Sequence, residues 1–353
     1  MNRLIRIMPP EKIDQDKQIP PLERKKSKLS IPESQITILL LNMGGPKTLK
    51  NIKDFQKHLF EDSILIRFPL SFLLQKFFAW ALVTFRLKAT EKRYALIGDG
   101  SPIYPSTENQ VKALREELKR RGHSYDVRFC FNYSSPFPHE IIAQLKTQQK
   151  KFILPLSLYP HYSKATTGSN MHYLKKAAQK IYPEVTFLEP PSYYLHDGYI
   201  QAFVERVQEV LKSGETLDDF YLIFSAHGLP LYFLTEGDPY PFQISQTVAK
   251  ILTRLGRTSE WVISYQSAVG SMQWLKPSTE DIIQALGRNG FKKLLVIPIS
   301  FVGDHIETIC EIDIEYRHWA VKCGIEDFRM SKAIECHPGF IKALADSVEA
   351  ILS

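Results

Sequence analysis

The chain has 353 residues, more than one ordinary hydrophobic core holds, so two domains or two halves of one are expected. Its 44% hydrophobic and 24% charged content is that of a soluble globular protein, and no apolar run reaches the roughly 18 residues that would cross a membrane. The formal charge of +7 admits an anionic partner, but much of it sits in Arg24-Lys25-Lys26 and Lys28, so no basic face is defined and nucleic acid is not an expected partner.

Residues 1–34 carry several prolines and mixed charges without the apolar run of a signal peptide, and read as a disordered basic leader. Residues 36–43 form the first strand, apolar through its middle, which runs into Gly44-Gly45-Pro46, a turn that lets backbone approach a ligand closely. Residues 68–85 hold five phenylalanines, a tryptophan and, before Arg86, a single charge at Lys76. This segment is either a core helix or an exposed lip that meets an apolar ligand or a bilayer surface. Arg86, Lys88, Lys92 and Arg93 give it a basic margin, which suits an amphiphilic anion.

Ser106 is placed to cap a helix over 108–121. A strand over 127–131, a helix over 139–148 and a strand over 151–158 follow, then a loop over 161–170. The second half repeats the alternation: a helix over 200–210, a strand over 220–225 opening into Ala226-His227-Gly228-Leu229-Pro230, a helix over 248–255, a strand over 261–266, and a helix over 279–286. A buried strand over 294–302 and a final helix over 338–352 complete it. Residues 150–158 and 292–301 share a Lys-Lys start and a Pro-x-Ser core, and Asn42 to Pro46 has a weaker counterpart in Ser225 to Pro230. The α/β fold expected is therefore two similar lobes, 35–195 and 196–353, each a parallel sheet flanked by helices, with ligands at the strand carboxyl ends in a cleft between them.

The strand over 294–302 ends at Gly303, followed by Asp304, a residue suited to capping a helix. At about 100° per residue, Asp304, Glu307, Glu311 and Glu315 fall within roughly 80° of one another. Such a stripe is either the wet face of an amphipathic helix or a run of oxygen ligands for a divalent cation. No lysine or arginine is interleaved in it, and His305 adds an imidazole at its start. His227 is the other candidate, because it follows an apolar strand and precedes Gly228; a histidine in a turn can equally be a hydrogen-bonded surface residue. His227 opposite Glu307 could bind a transition metal or move protons. No GxGxxG follows a strand, and GxxxxGK[ST] and GxSxG are absent, so dinucleotide, triphosphate and nucleophile-elbow readings have no motif.

From about residue 36 to its end the chain resembles ferrochelatase, the enzyme family that inserts ferrous iron into a porphyrin. The motifs are Leu41-Asn42-Met43-Gly44-Gly45-Pro46, Gly100-Ser101-Pro102-Ile103, Tyr162-Ser163 with Thr166-Thr167-Gly168-Ser169, Ser225 to Pro230, Gln266-Ser267-Ala268-Val269-Gly270 with Trp274, and Asp304-His305-Ile306-Glu307-Thr308. The resemblance implies a chelatase-like pair of Rossmann-like lobes, with His227 and Glu307 as catalytic groups facing each other across the porphyrin. It implies that His227, Glu307, Glu311 and Asp304 handle the metal with His305 behind them. It places Met43, Tyr94, Ser267, Val269 and Trp274 in the porphyrin pocket, Arg86 near its propionates, and 68–93 as a lip touching the inner membrane peripherally from the cytoplasm.

Ferrous iron is then a substrate, and no prosthetic group is implied. Some relatives hold a [2Fe-2S] cluster on closely spaced cysteines, whereas Cys130, Cys310, Cys323 and Cys336 form no short group, which also argues against zinc and disulfides. Asn132 stands where some relatives place a basic pocket residue, and Cys310 replaces a common aromatic. The apolar lip suits protoporphyrin IX; coproporphyrin III, with four carboxylates, would favour a more open, basic mouth. A haem carrier without insertion activity would need no carboxylate ladder.

Overall fold

Successive residues of a strand point to opposite sides, so strands that are apolar at nearly every position need cover on both faces. The computed structural model describes residues 31–66, 71–257, 260–270 and 272–352, without the side chains of 71–73. In it β1 (Ile36–Asn42), β2 (Asp126–Phe131), β3 (Phe152–Ser157) and β4 (Thr186–Phe187) form a parallel sheet in the order β2-β1-β3-β4. A second parallel sheet, from β5 (Tyr221–His227), β6 (Trp261–Gln266), β7 (Lys293–Pro298) and β8 (Asp327–Met330), has the order β6-β5-β7-β8. The two orders are the same with β1 to β4 replaced by β5 to β8. The echo between 150–158 and 292–301 is the match of β3 to β7.

Ile38 and Leu40 of β1 share one continuous core with Leu222, Phe224, Leu295 and Ile297 of the second sheet. Leu39 and Leu41 point the other way, onto the helices Pro138–Thr147 and Ser169–Ile181. Ile223, Leu294 and Val296 likewise face Ile283 and Leu286 of Thr279–Arg288. The last helix, Pro338–Leu352, packs on both Ile103–Arg120 and Asp197–Gln208. Pro32–Ser353 is accordingly one compact unit.

The lip is a helix, Ser71–Ala95, whose Ala79 and Val83 pack on Phe60 in a small cluster of their own. Phe77, Trp80 and Phe85 stay in the open, Phe85 with 85% of its surface exposed, so the helix buries one side and leaves large apolar side chains outside the core. Residues 68–70 and the leader up to residue 30 lie outside the described residues. Glu33, counted with that leader, accepts hydrogen bonds from the N–H and Oγ of Ser124.

Other expectations shift. The helix expected from 108 starts at Ile103, which leaves Ser106 inside it, donating to Glu335 instead of capping. The loop at 161–170 contains a π-turn, Lys164–Gly168, leading into Ser169–Ile181. The strand expected to reach 302 stops at Pro298, and the acidic helix runs from Glu307 to Tyr316 as a π-helix.

Candidate active site

The carboxyl ends of β5, β6 and β7 meet around His227. Its backbone is held on both sides: the N–H donates to Ser300 Oγ at 2.9 Å, and the carbonyl accepts from the Tyr240 hydroxyl at 3.0 Å. A side chain on Gly228 would put Cβ 2.8 Å from the Gln266 carbonyl and 3.3 Å from the Trp274 ring, so glycine is what lets the end of β6 and Trp274 approach this turn. Phe301 stands edge-on to His227 and His305, with ring centroids 5.9 and 3.8 Å away. The His227 Nδ1 is buried and has no hydrogen-bond partner among the described residues. Burial holds its imidazole below the ordinary value while the Glu307 charge pulls the other way, which leaves a neutral base at pH 7.

Glu307 opens the π-helix, and its Oε2 lies 2.8 Å from Nδ1 of the buried His305. Burial would raise this carboxyl, but His305 and then His227 outweigh it and hold it at about 2. Glu311, one step along, is fully engaged: Oε1 accepts from the Ser267 N–H at 2.8 Å and the Tyr316 hydroxyl at 2.9 Å, and Oε2 from Ser267 Oγ at 2.6 Å. Ser267 turns both donors toward it by adopting a positive φ of 64°, and the reach from 311 to 316 is the i to i+5 spacing of a π-helix. Burial pushes Glu311 above the usual carboxylate range.

Asp304 looks elsewhere. Its Oδ1 accepts from Thr308 Oγ1 at 2.9 Å, and its N–H donates to Glu335. Glu315 pairs with Arg93 of the lip helix at 2.9 Å, so the stripe without basic residues in sequence acquires one across the fold. Among the described residues no three His, Cys, Asp or Glu side chains are arranged to hold a metal ion. The four groups expected to handle metal are thus not a closed shell: His227 and Glu307 act on each other, while Glu311 and Asp304 are hydrogen-bonded into the protein.

The sequence profile of the family described as "Ferrochelatase" matches residues 35–352. The chain is 41% identical over 322 residues to the ferrochelatase of Synechococcus elongatus, covering 90% of this chain and 83% of that one. It is 40% identical over 318 residues to the ferrochelatase of Trichodesmium erythraeum, covering 89% and 82%. Among solved structures, SirB from Bacillus subtilis with Fe3+ superposes with a TM-score of 0.52 at 14% identity, covering 90% of this chain and 96% of that one, a likeness of fold. The chain belongs to the ferrochelatase family.

It is therefore an enzyme that inserts iron into a porphyrin in haem synthesis. Of the residues expected to line a ferrochelatase pocket, Tyr94 lies close enough to feel the Glu307 charge. Tyr94 is buried, and burial together with the Glu307 charge pushes its phenol far up. Half-buried Arg86 is held below its ordinary value by burial and by Arg93 beside it. Val269 is exposed and takes the Trp274 Nε1–H on its carbonyl at 3.0 Å. Met43 joins through Tyr159, whose hydroxyl accepts the Met43 N–H at 3.3 Å and whose phenol is raised by burial and by Glu307. Tyr159, Phe301, Ser300, Tyr240 and Gln266 were not expected as site residues, although Gln266 lay in a motif next to Ser267, and Ser300 and Phe301 in the 292–301 echo.

Proposed function

We propose that the porphyrin is protoporphyrin IX, with His227 as the base and Glu307 as the metal-handling carboxylate. The observation that carries the substrate choice is the exposed apolar face of Phe77, Trp80 and Phe85 beside Arg86, which suits an apolar ring with two propionates. Insertion breaks two pyrrole N–H bonds and releases two protons for each Fe2+ that enters. A neutral, partly exposed His227 can take the first, and the Glu307 anion favours the imidazolium that results. Apolar contacts that bend the ring until its lone pairs face the metal would lower the barrier further. This reading includes no iron–sulfur cluster, since the cysteines lie far apart in the chain.

Mixed anaerobically with ferrous iron, the enzyme should metallate protoporphyrin IX with a higher kcat/KM than coproporphyrin III, followed as loss of the free-base spectrum. Faster reaction with coproporphyrin III would reverse the substrate assignment, and binding of either ring without metallation would favour a carrier.

The same lip supports a peripheral site on the cytoplasmic face of the inner membrane. No helix among the described residues is long and apolar enough to cross a membrane, so contact would be at the surface. Trp80→Glu with Phe85→Glu should lower co-sedimentation with phosphatidylglycerol vesicles several-fold; unchanged sedimentation would remove the lip from this role.

A further inference from the structure

Gln266 stands opposite His227 in the pairing of β5 with β6, and only 1% of its surface is exposed. Its Oε1 accepts from Ser225 Oγ at 2.6 Å, and its Nε2 donates to the Glu307 carbonyl at 3.1 Å. The orientation of the amide is fixed by chemistry, because a carbonyl can only accept and so must face the NH2 end. One side chain thus reaches from the strand that carries His227 to the first residue of the π-helix. Behind it the anchor is rigid: Ser225 and Ser264 each lie 2.9 Å from the Thr279 hydroxyl, and all three are fully buried. The next residue, Ser267, grips Glu311, so the end of β6 holds two successive rungs of the acidic helix.

We infer that Gln266 is a positioning residue for iron insertion: it sets the separation between the His227 imidazole and the Glu307 carboxylate. Those two groups sit on different elements, and β5 and the start of the π-helix are not joined by a ladder. The His305 contact orients the Glu307 side chain but belongs to the same segment and moves with it. Gln266 ties that segment to the strand of His227 through a side chain, while its own carbonyl takes the Gly228 N–H at 2.8 Å. A buried side chain bonded at both ends has little freedom, so the pair is held before substrate arrives.

The inference rests on the iron-insertion reading, and the test separates the two. Gln266→Met keeps the length and removes both polar ends, while Ser225 retains Thr279. With ferrous iron and protoporphyrin IX, its kcat should fall roughly 10- to 100-fold with the porphyrin KM within about twofold, the pattern of misplaced groups rather than lost binding. Amide exchange should rise in the first turn of the π-helix and not in β5. Gln266→Glu preserves shape and the acceptor for Ser225 but sets a carboxylate oxygen against the Glu307 carbonyl, and should lose at least as much kcat. Folded variants with unchanged kcat, or a loss carried wholly by KM or by a lower melting temperature, would overturn the role. A wild-type enzyme that fails to metallate would instead count against the iron-insertion reading.

Discussion

Replacing His227 by alanine is expected to lower kcat for metallation by about 10²- to 10⁴-fold, the share a positioned base supplies, with the porphyrin KM little changed. The imidazole is neutral at working pH because burial disfavours its charge, and its Nδ1 has no hydrogen-bond partner among the described residues to give up. The backbone bonds to Ser300 and Tyr240 do not involve the side chain, so the turn should survive the substitution. Steady-state rates with ferrous iron check the effect, and normal turnover in this variant would move the base elsewhere. The pH profile carries the same signature. Since His227 is held below the ordinary imidazole value of about 6.5, the acid limb of kcat should lie below that pH and vanish in the variant.

Glu307→Gln is expected to cost a comparable factor, again in kcat, because the anion both favours the imidazolium on His227 and offers the metal an oxygen. It should also change how stability depends on pH. The folded carboxyl sits at about 2, below the unfolded value of about 4.3, so its stabilising contribution is complete above the unfolded value and is lost as pH falls toward the folded one. The stability difference between wild type and variant should therefore shrink on acidification from about pH 5 to about pH 2, measured by denaturant unfolding. A difference that stayed constant across that window would mean that Glu307 does not owe its charge to His305 and His227.

The strands were legible because they are short apolar runs between turn residues, and β6 begins and ends where its composition predicts. The edge strands β4 and β8 were not, since two residues of one and Asp327-Phe328-Arg329-Met330 of the other carry no run to detect. In the site, His227 and Glu307 could be chosen from residue type and position. Their surroundings could not. A pattern counted at 100° per residue assumes an α-helix, and nothing in Glu307 to Tyr316 announces the wider turn that brings Tyr316 onto Glu311. The partner of Glu315 comes from Arg93, more than 200 positions away, and that of the Asp304 N–H from Glu335. Gln266 reads as one more buried strand residue until both of its ends are seen to be bonded.

The core shared by Ile38 and Leu40 with Leu222 and Phe224, closed by a last helix lying on helices of both halves, has a thermal consequence. Neither sheet can lose its inner cover while the other keeps it, so both halves should melt in one cooperative transition, with coincident midpoints from different probes. A half-denatured molecule that still gripped the ring while leaving iron unguarded should then not accumulate. Chelation would then be confined to the intact fold.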